Sequence, residues 1–147
     1  MNPLTNYSGL NTSATDNVIK KKYSPEIKFK QVQYESAAWK RLLGFMLDEN
    51  VHLKNRLSEI LKDKFNNSLL EKVEEFLSRF VKEDELIGLL RNEVVELDKM
   101  LQQCHGQEKN YYDVERKLNN IRHNIFTAEK EFGKLKSEFN DYLSVNI

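Results

Sequence analysis

Glu49-Asn50-Val51-His52 sets a carboxylate and an imidazole three residues apart, a spacing that makes them neighbours on one face of a helix. Carboxylate-bridged metal sites in helical bundles take such a pair from each of two helices and a single Glu from each of two others. Here one pair exists, with Glu83 and Glu129 as the candidate single carboxylates, and a symmetric dimer would have to supply the second pair. The plainer reading is a polar layer in which Asn50 and Glu83 hydrogen-bond to fix register. A four-residue pattern arises readily by chance in a chain with 23 Asp and Glu.

Cys104-His105 and His123 offer a thiol and two imidazoles, but nucleophilic catalysis needs a base and an orienting group arranged around the thiol, and no motif implies that arrangement. One Cys and three scattered His lack the paired spacing of a structural zinc site. Cys104 continues an apolar seam, where free Cys acts as a small buried filler. There is no G-x-x-x-x-G-K-S/T, G-x-G-x-x-G or G-x-S-x-G, so phosphate-cradling loops and a nucleophile elbow are absent from the sequence. The expectation is a protein without enzymatic activity and without a cofactor.

Residues 20–41 are basic. Lys20, Lys21, Lys22, Lys28, Lys30, Lys40 and Arg41 stand against Glu26 and Glu35, interleaved with Tyr23, Phe29 and Tyr34. Lysines neutralise phosphates and aromatics stack on bases, so weak contact with nucleic acid or an anionic surface is one reading of this arm. The other is a solvated arm that docks on an acidic helix. A chain total of 23 basic and 23 acidic residues argues against a dedicated nucleic-acid binder. The charge is unevenly placed: Lys and Arg exceed Asp and Glu by 11 to 7 over residues 1–67, trail them by 5 to 9 over 68–104, and balance at 7 each over 105–147.

The elements that must position these residues are helices. The clearest is a heptad seam of Tyr111, Val114, Leu118, Ile121, Ile125, Ala128, Phe132, Leu135, Phe139 and Tyr142, spaced alternately three and four. That stripe lets a long helix lie along a partner in a left-handed supercoil. A second seam runs through Val32, Ser36, Trp39, Leu43, Met46, Asn50, Leu53, Leu57 and Ile60. A third runs through Leu69, Val73, Phe76, Phe80, Glu83, Ile87, Leu90, Val94, Leu97, Leu101 and Cys104. The spacing predicts helix 1 over about 31–64, helix 2 over about 68–104 and helix 3 over about 110–144. Ser24-Pro25 offers an alternative start for helix 1, with Pro at the first helical position. Ser68 and Glu71 have capping-box spacing, and the heptad register slips at Gly106, which implies a turn rather than one continuous rod.

Helices of similar length joined by short connections imply up-down-up packing. The predicted fold is all-α: an antiparallel three-helix coiled-coil-like bundle over 24–147, preceded by a flexible polar tail over 1–23 rich in Asn, Ser and Thr. It resembles spectrin-type three-helix repeats in seam and helix length, a geometric likeness that carries no function. Folding the chain back on itself brings Phe65, Phe76, Phe80, Phe132 and Phe139 to one end. It also brings the two polar interruptions, Asn50 and Glu83, level with each other and with residues 129–132. A buried polar layer of Asn50 hydrogen-bonded to Glu83 would fix the helix register at some cost in stability.

Helices 1 and 2 carry more apolar side chains than a seam can use. Phe45, Val51, Val81, Leu89 and Val95 are expected on the outside, where apolar surface marks a partner. The function this implies is binding another protein or a second copy of the chain. No stretch reaches the roughly 20 apolar residues of a membrane span, and a lone Cys104 makes no intrachain disulfide, so a cytoplasmic setting is expected.

Overall fold

The computed structural model describes residues 25–63, 67–104 and 108–146, with side chains described over 28–63, 68–103 and 111–146. It contains three helices, α1 (Pro25–Asp63), α2 (Asn67–Cys104) and α3 (Glu108–Asn146). Each is close to 40 residues, hence about 58 Å long at 1.5 Å per residue. The predicted tail over 1–23, Phe65 and Gly106 lie outside the described residues.

α1 starts at Pro25, earlier than its apolar seam, because proline at the first helical position has a fixed φ suited to the helix and lacks only an N–H that would have no helical acceptor. α2 starts at Asn67, one residue before the expected cap at Ser68, so Ser68 lies within the first turn. α3 extends two residues beyond each predicted end.

Interhelical contacts give the directions. Lys40 and Lys54 on α1 meet Asp98 and Asp84 on α2 in reverse order, so these helices are antiparallel. Phe139 meets Phe76 and Phe80 near the start of α2, whereas Lys117 meets Glu93 toward its end, so α2 and α3 are antiparallel too. Glu35 pairs with Arg122 and Glu49 with Lys136, both along the chain direction, so α1 and α3 run parallel. The result is the up-down-up bundle.

The three seams close on one another. Leu43, Phe80, Ile87, Val94 and Leu97 are fully buried, and the α3 seam is buried from Val114 to Phe139. At the end of α3, Leu143 takes over from the half-exposed Tyr142, because a 3.6-residue helix drifts against a 3.5-residue repeat. The aromatic end is real but differently composed. Phe76, Phe80, Phe139 and Tyr142 pack ring on ring, with Phe139 edge-on to Phe76 and Phe80 at 5.2 Å. Phe132 is buried in the core. Leu42, Leu47, Leu61, Leu86 and Met100 widen that core from off-seam positions.

No helix among the described residues is long and apolar enough to cross a membrane.

Candidate functional site

Asn50 is fully buried on α1. Its Nδ2 donates to the Phe80 carbonyl at 2.8 Å and to Asp84 Oδ1 at 2.5 Å, and Lys54, one turn further along α1, pairs with the other oxygen of the same carboxylate. The predicted partner was Glu83. The structure gives the bond to Asp84, because Asp84 lies 100° further round α2 and faces α1. Glu83 sits on the opposite flank of the seam, beside α3.

The same arrangement occurs a second time. Ser36 is buried, its Oγ donates to Asp98 Oδ1 at 2.6 Å, and Lys40, again one turn on, pairs with Asp98 Oδ2. The two clamps are fourteen residues apart on α1 and fourteen on α2, which is two heptads on each helix. Sequence reasoning placed Ser36 in the seam without recognising it as half of a clamp. The available signal was a seam Ser or Asn followed four residues later by Lys, with Asp84 and Asp98 at matching separation on the facing helix.

Glu83 is the less settled polar residue. Its Oε2 is buried with no hydrogen-bond partner, as is Asn50 Oδ1. Burial pushes the Glu83 carboxyl above its usual range, the nearby Glu131 carboxylate pushes it the same way, and Arg79 opposes both. Arg79 is itself bound to Glu138 at 2.5 Å, and that hydrogen bond holds the Glu138 carboxyl below its usual range.

On the α1–α3 side, Arg122 grips Glu35 with two parallel bonds of 2.6 and 2.7 Å, and the hydrogen bonding raises the guanidinium pKa further. Fourteen residues on, Lys136 binds Glu49 at 2.5 Å. Lys117 bridges Glu93 and Glu96 across the α2–α3 side, and its bond to Glu93 is the main reason its ammonium pKa is raised.

The four residues considered for a metal do not converge. Glu49 is engaged by Lys136, His52 and Glu129 are exposed, and Glu83 faces Glu131 on α3. Among the described residues no group of three or more His, Cys, Asp or Glu is placed to hold a metal ion. The basic arm is only partly described. Within it Lys28 lies over the Tyr111 ring at 5.1 Å and Lys40 is held by Asp98, while Lys30 and Arg41 are exposed.

All five apolar residues predicted on the outside are exposed: Phe45 at 71%, Leu89 at 63%, Val95 at 46%, Val51 at 44% and Val81 at 43%. Leu77, not foreseen as exposed, joins Val81 in a shallow depression on α2 bordered by Glu74, Ser78, Lys82 and Glu85. Tyr34 on α1 and Tyr112, Phe126 and Val145 on α3 are exposed as well. The chain matches no family model, no curated protein and no solved structure at a significant level of similarity.

Proposed function

We propose that this chain is a non-enzymatic interaction protein that works by presenting the outer faces of α1 and α2 to another protein or to a second copy of itself. One observation supports this reading above the rest. With the three-helix core already closed, Phe45, Val51, Val81, Leu89 and Val95 remain exposed on the two helices that share the clamps. Seven of the ten large apolar side chains exposed among the described residues lie on α1 and α2, and covering them would remove apolar area from water.

In this reading the clamps keep α1 and α2 aligned, so that the outer residues hold fixed relative positions. A cytoplasmic setting belongs to the same reading, since a single cysteine leaves no internal disulfide to maintain.

Light scattering coupled to size exclusion, run over a wide concentration range, tests it. Wild type is expected to associate or to acquire a stable protein partner, and the combined substitution Phe45→Ser, Val81→Ser and Leu89→Ser is expected to abolish this while leaving the helical signal unchanged. Association that survives the triple substitution would overturn the assignment of these faces.

A further inference from the structure

One stripe on the outer face of α2 is centred on Gly88. Val81 and Val95 lie seven residues before and after it, which places each about 10 Å away along the helix and within about 20° of the same direction. Leu77 and Lys99 lie eleven residues before and after it, on the same line. All five residues are exposed. A Cβ added to Gly88 would meet nothing within 4 Å, so the bundle itself has no packing need for glycine here.

From this we infer that the occupant of this face is a second copy of the chain, docked with α2 antiparallel to α2 and the two-fold axis at Gly88. The inference rests on the self-association half of the proposed function and specifies its geometry. An isologous interface requires a surface that is its own complement. Reversal about Gly88 lays Val81 on Val95 of the other copy, twice, and lays Leu77 along the aliphatic stem of Lys99. The missing side chain at Gly88 lets the two backbones approach where they cross.

Charge selects the same orientation. Glu85 and Asn92 lie on one flank of the stripe and come opposite each other on reversal, as do Glu74 and Lys99 near its ends. Glu74, Glu85, Asn92 and Lys99 are all exposed, and none makes a side-chain hydrogen bond or ion pair with another described residue. A parallel arrangement would instead set Lys99, which lies near the midline of the stripe, on Lys99. Like charges in register are unfavourable, so the antiparallel dimer is the favoured one.

Disulfide trapping in the full-length chain tests the geometry, with Cys104→Ala as background. Gly88→Cys is expected to form a dimer under mild oxidation, because the axis brings position 88 onto itself within disulfide reach. Val81→Cys and Val95→Cys are each expected to stay uncrosslinked alone and to form a mixed dimer when combined. If Cys104→Ala lowers the helical signal, the same variants are made with Cys104 retained, and the linked positions are read by peptide mass mapping. Gly88→Leu is expected to weaken association by roughly tenfold or more without unfolding the monomer, since the added side chain meets only solvent in one copy and the opposing backbone in two. A concentration-dependent dimer that crosslinks at Phe45→Cys and not at Gly88→Cys, or through 81 to 81 and 95 to 95, would overturn this geometry and leave self-association standing. A strict monomer at all concentrations would overturn both and leave only a foreign partner.

Discussion

Asn50 on α1 and Asp84 on α2 are joined by a half-buried hydrogen bond of 2.5 Å, and Asp84 is the residue beside the Glu83 that interrupts the α2 seam. Buried polar groups of this kind cost stability and return alignment. Asn50→Leu removes the unpaired Oδ1 from the core and leaves Asp84 its ion pair with Lys54. Thermal melts are expected to show a stability gain of about 1 kcal/mol. Amide NMR spectra of the same variant are expected to broaden as alternative alignments become populated. A large loss of stability would mean that the hydrogen bond is a net stabiliser instead.

Glu83 gives a pH dependence whose sign follows from burial. Its folded-state pKa is raised, so between the ordinary carboxylate value and the raised one the folded chain holds a proton that the unfolded chain has released. Stability from this group therefore falls as pH rises through that window, and the penalty is absent below it. Glu83→Gln is expected to raise stability at neutral pH by at most about 1 kcal/mol, because the amide carries no charge to desolvate beside Glu131 while solvent already reaches part of the group. Urea melts at a series of pH values check both the gain and its disappearance in acid.

The paired bonds between Glu35 and Arg122 tie the two parallel helices, α1 and α3. Because both side chains are partly exposed, a double-mutant cycle with Glu35→Gln and Arg122→Gln is expected to return a coupling of about 0.5–1 kcal/mol. The coupling should shrink in high salt. A value unaffected by salt would indicate a much drier contact.

Phe80 is fully buried between Phe76 and Phe139, whereas Phe126 is 66% exposed on α3. Phe80→Ala is expected to cost about 3–5 kcal/mol, enough to be seen directly in a melt. Phe126→Ala is expected to stay within about 0.5 kcal/mol of wild type.

Gly88→Ala separates the needs of the monomer from those of an assembly. Replacing a mid-helix glycine where the new methyl has open space should stabilise the monomer by about 1 kcal/mol. Chemical denaturation at low protein concentration measures this.

Most of the fold was legible because it is written in periodicity. Three seams, two breaks and similar helix lengths define an up-down-up bundle, and side-chain burial follows the seams nearly residue for residue. Phe45, Val51, Val81, Leu89 and Val95 were legible as exposed for the same reason, since they lie far from the seams, whereas Leu77 lies nearer the edge of its seam and was not. The clamps were not. Asp84 and Asp98 look like ordinary surface acids until the facing helix is placed, and a difference of one residue, Asp84 rather than Glu83, is a 100° rotation about α2 that approximate level-matching does not resolve. The metal candidates failed to gather because the Glu49–His52 spacing fixes neighbours along one helix and says nothing about which way that face turns.

The two clamps also decide which misalignments the hairpin can tolerate. Sliding α2 along α1 by one heptad would set apolar residues back onto apolar positions, so the apolar pattern alone repeats in the slid arrangement. Arg91 lies midway between Asp84 and Asp98. A slide one way carries it to Lys54 and Asn50, and a slide the other way to Lys40 and Ser36, so either error replaces a carboxylate by a guanidinium in front of an ammonium. The acid–base–acid order along one edge of α2 thus works as a vernier, marking the native setting by making its nearest imitations repel.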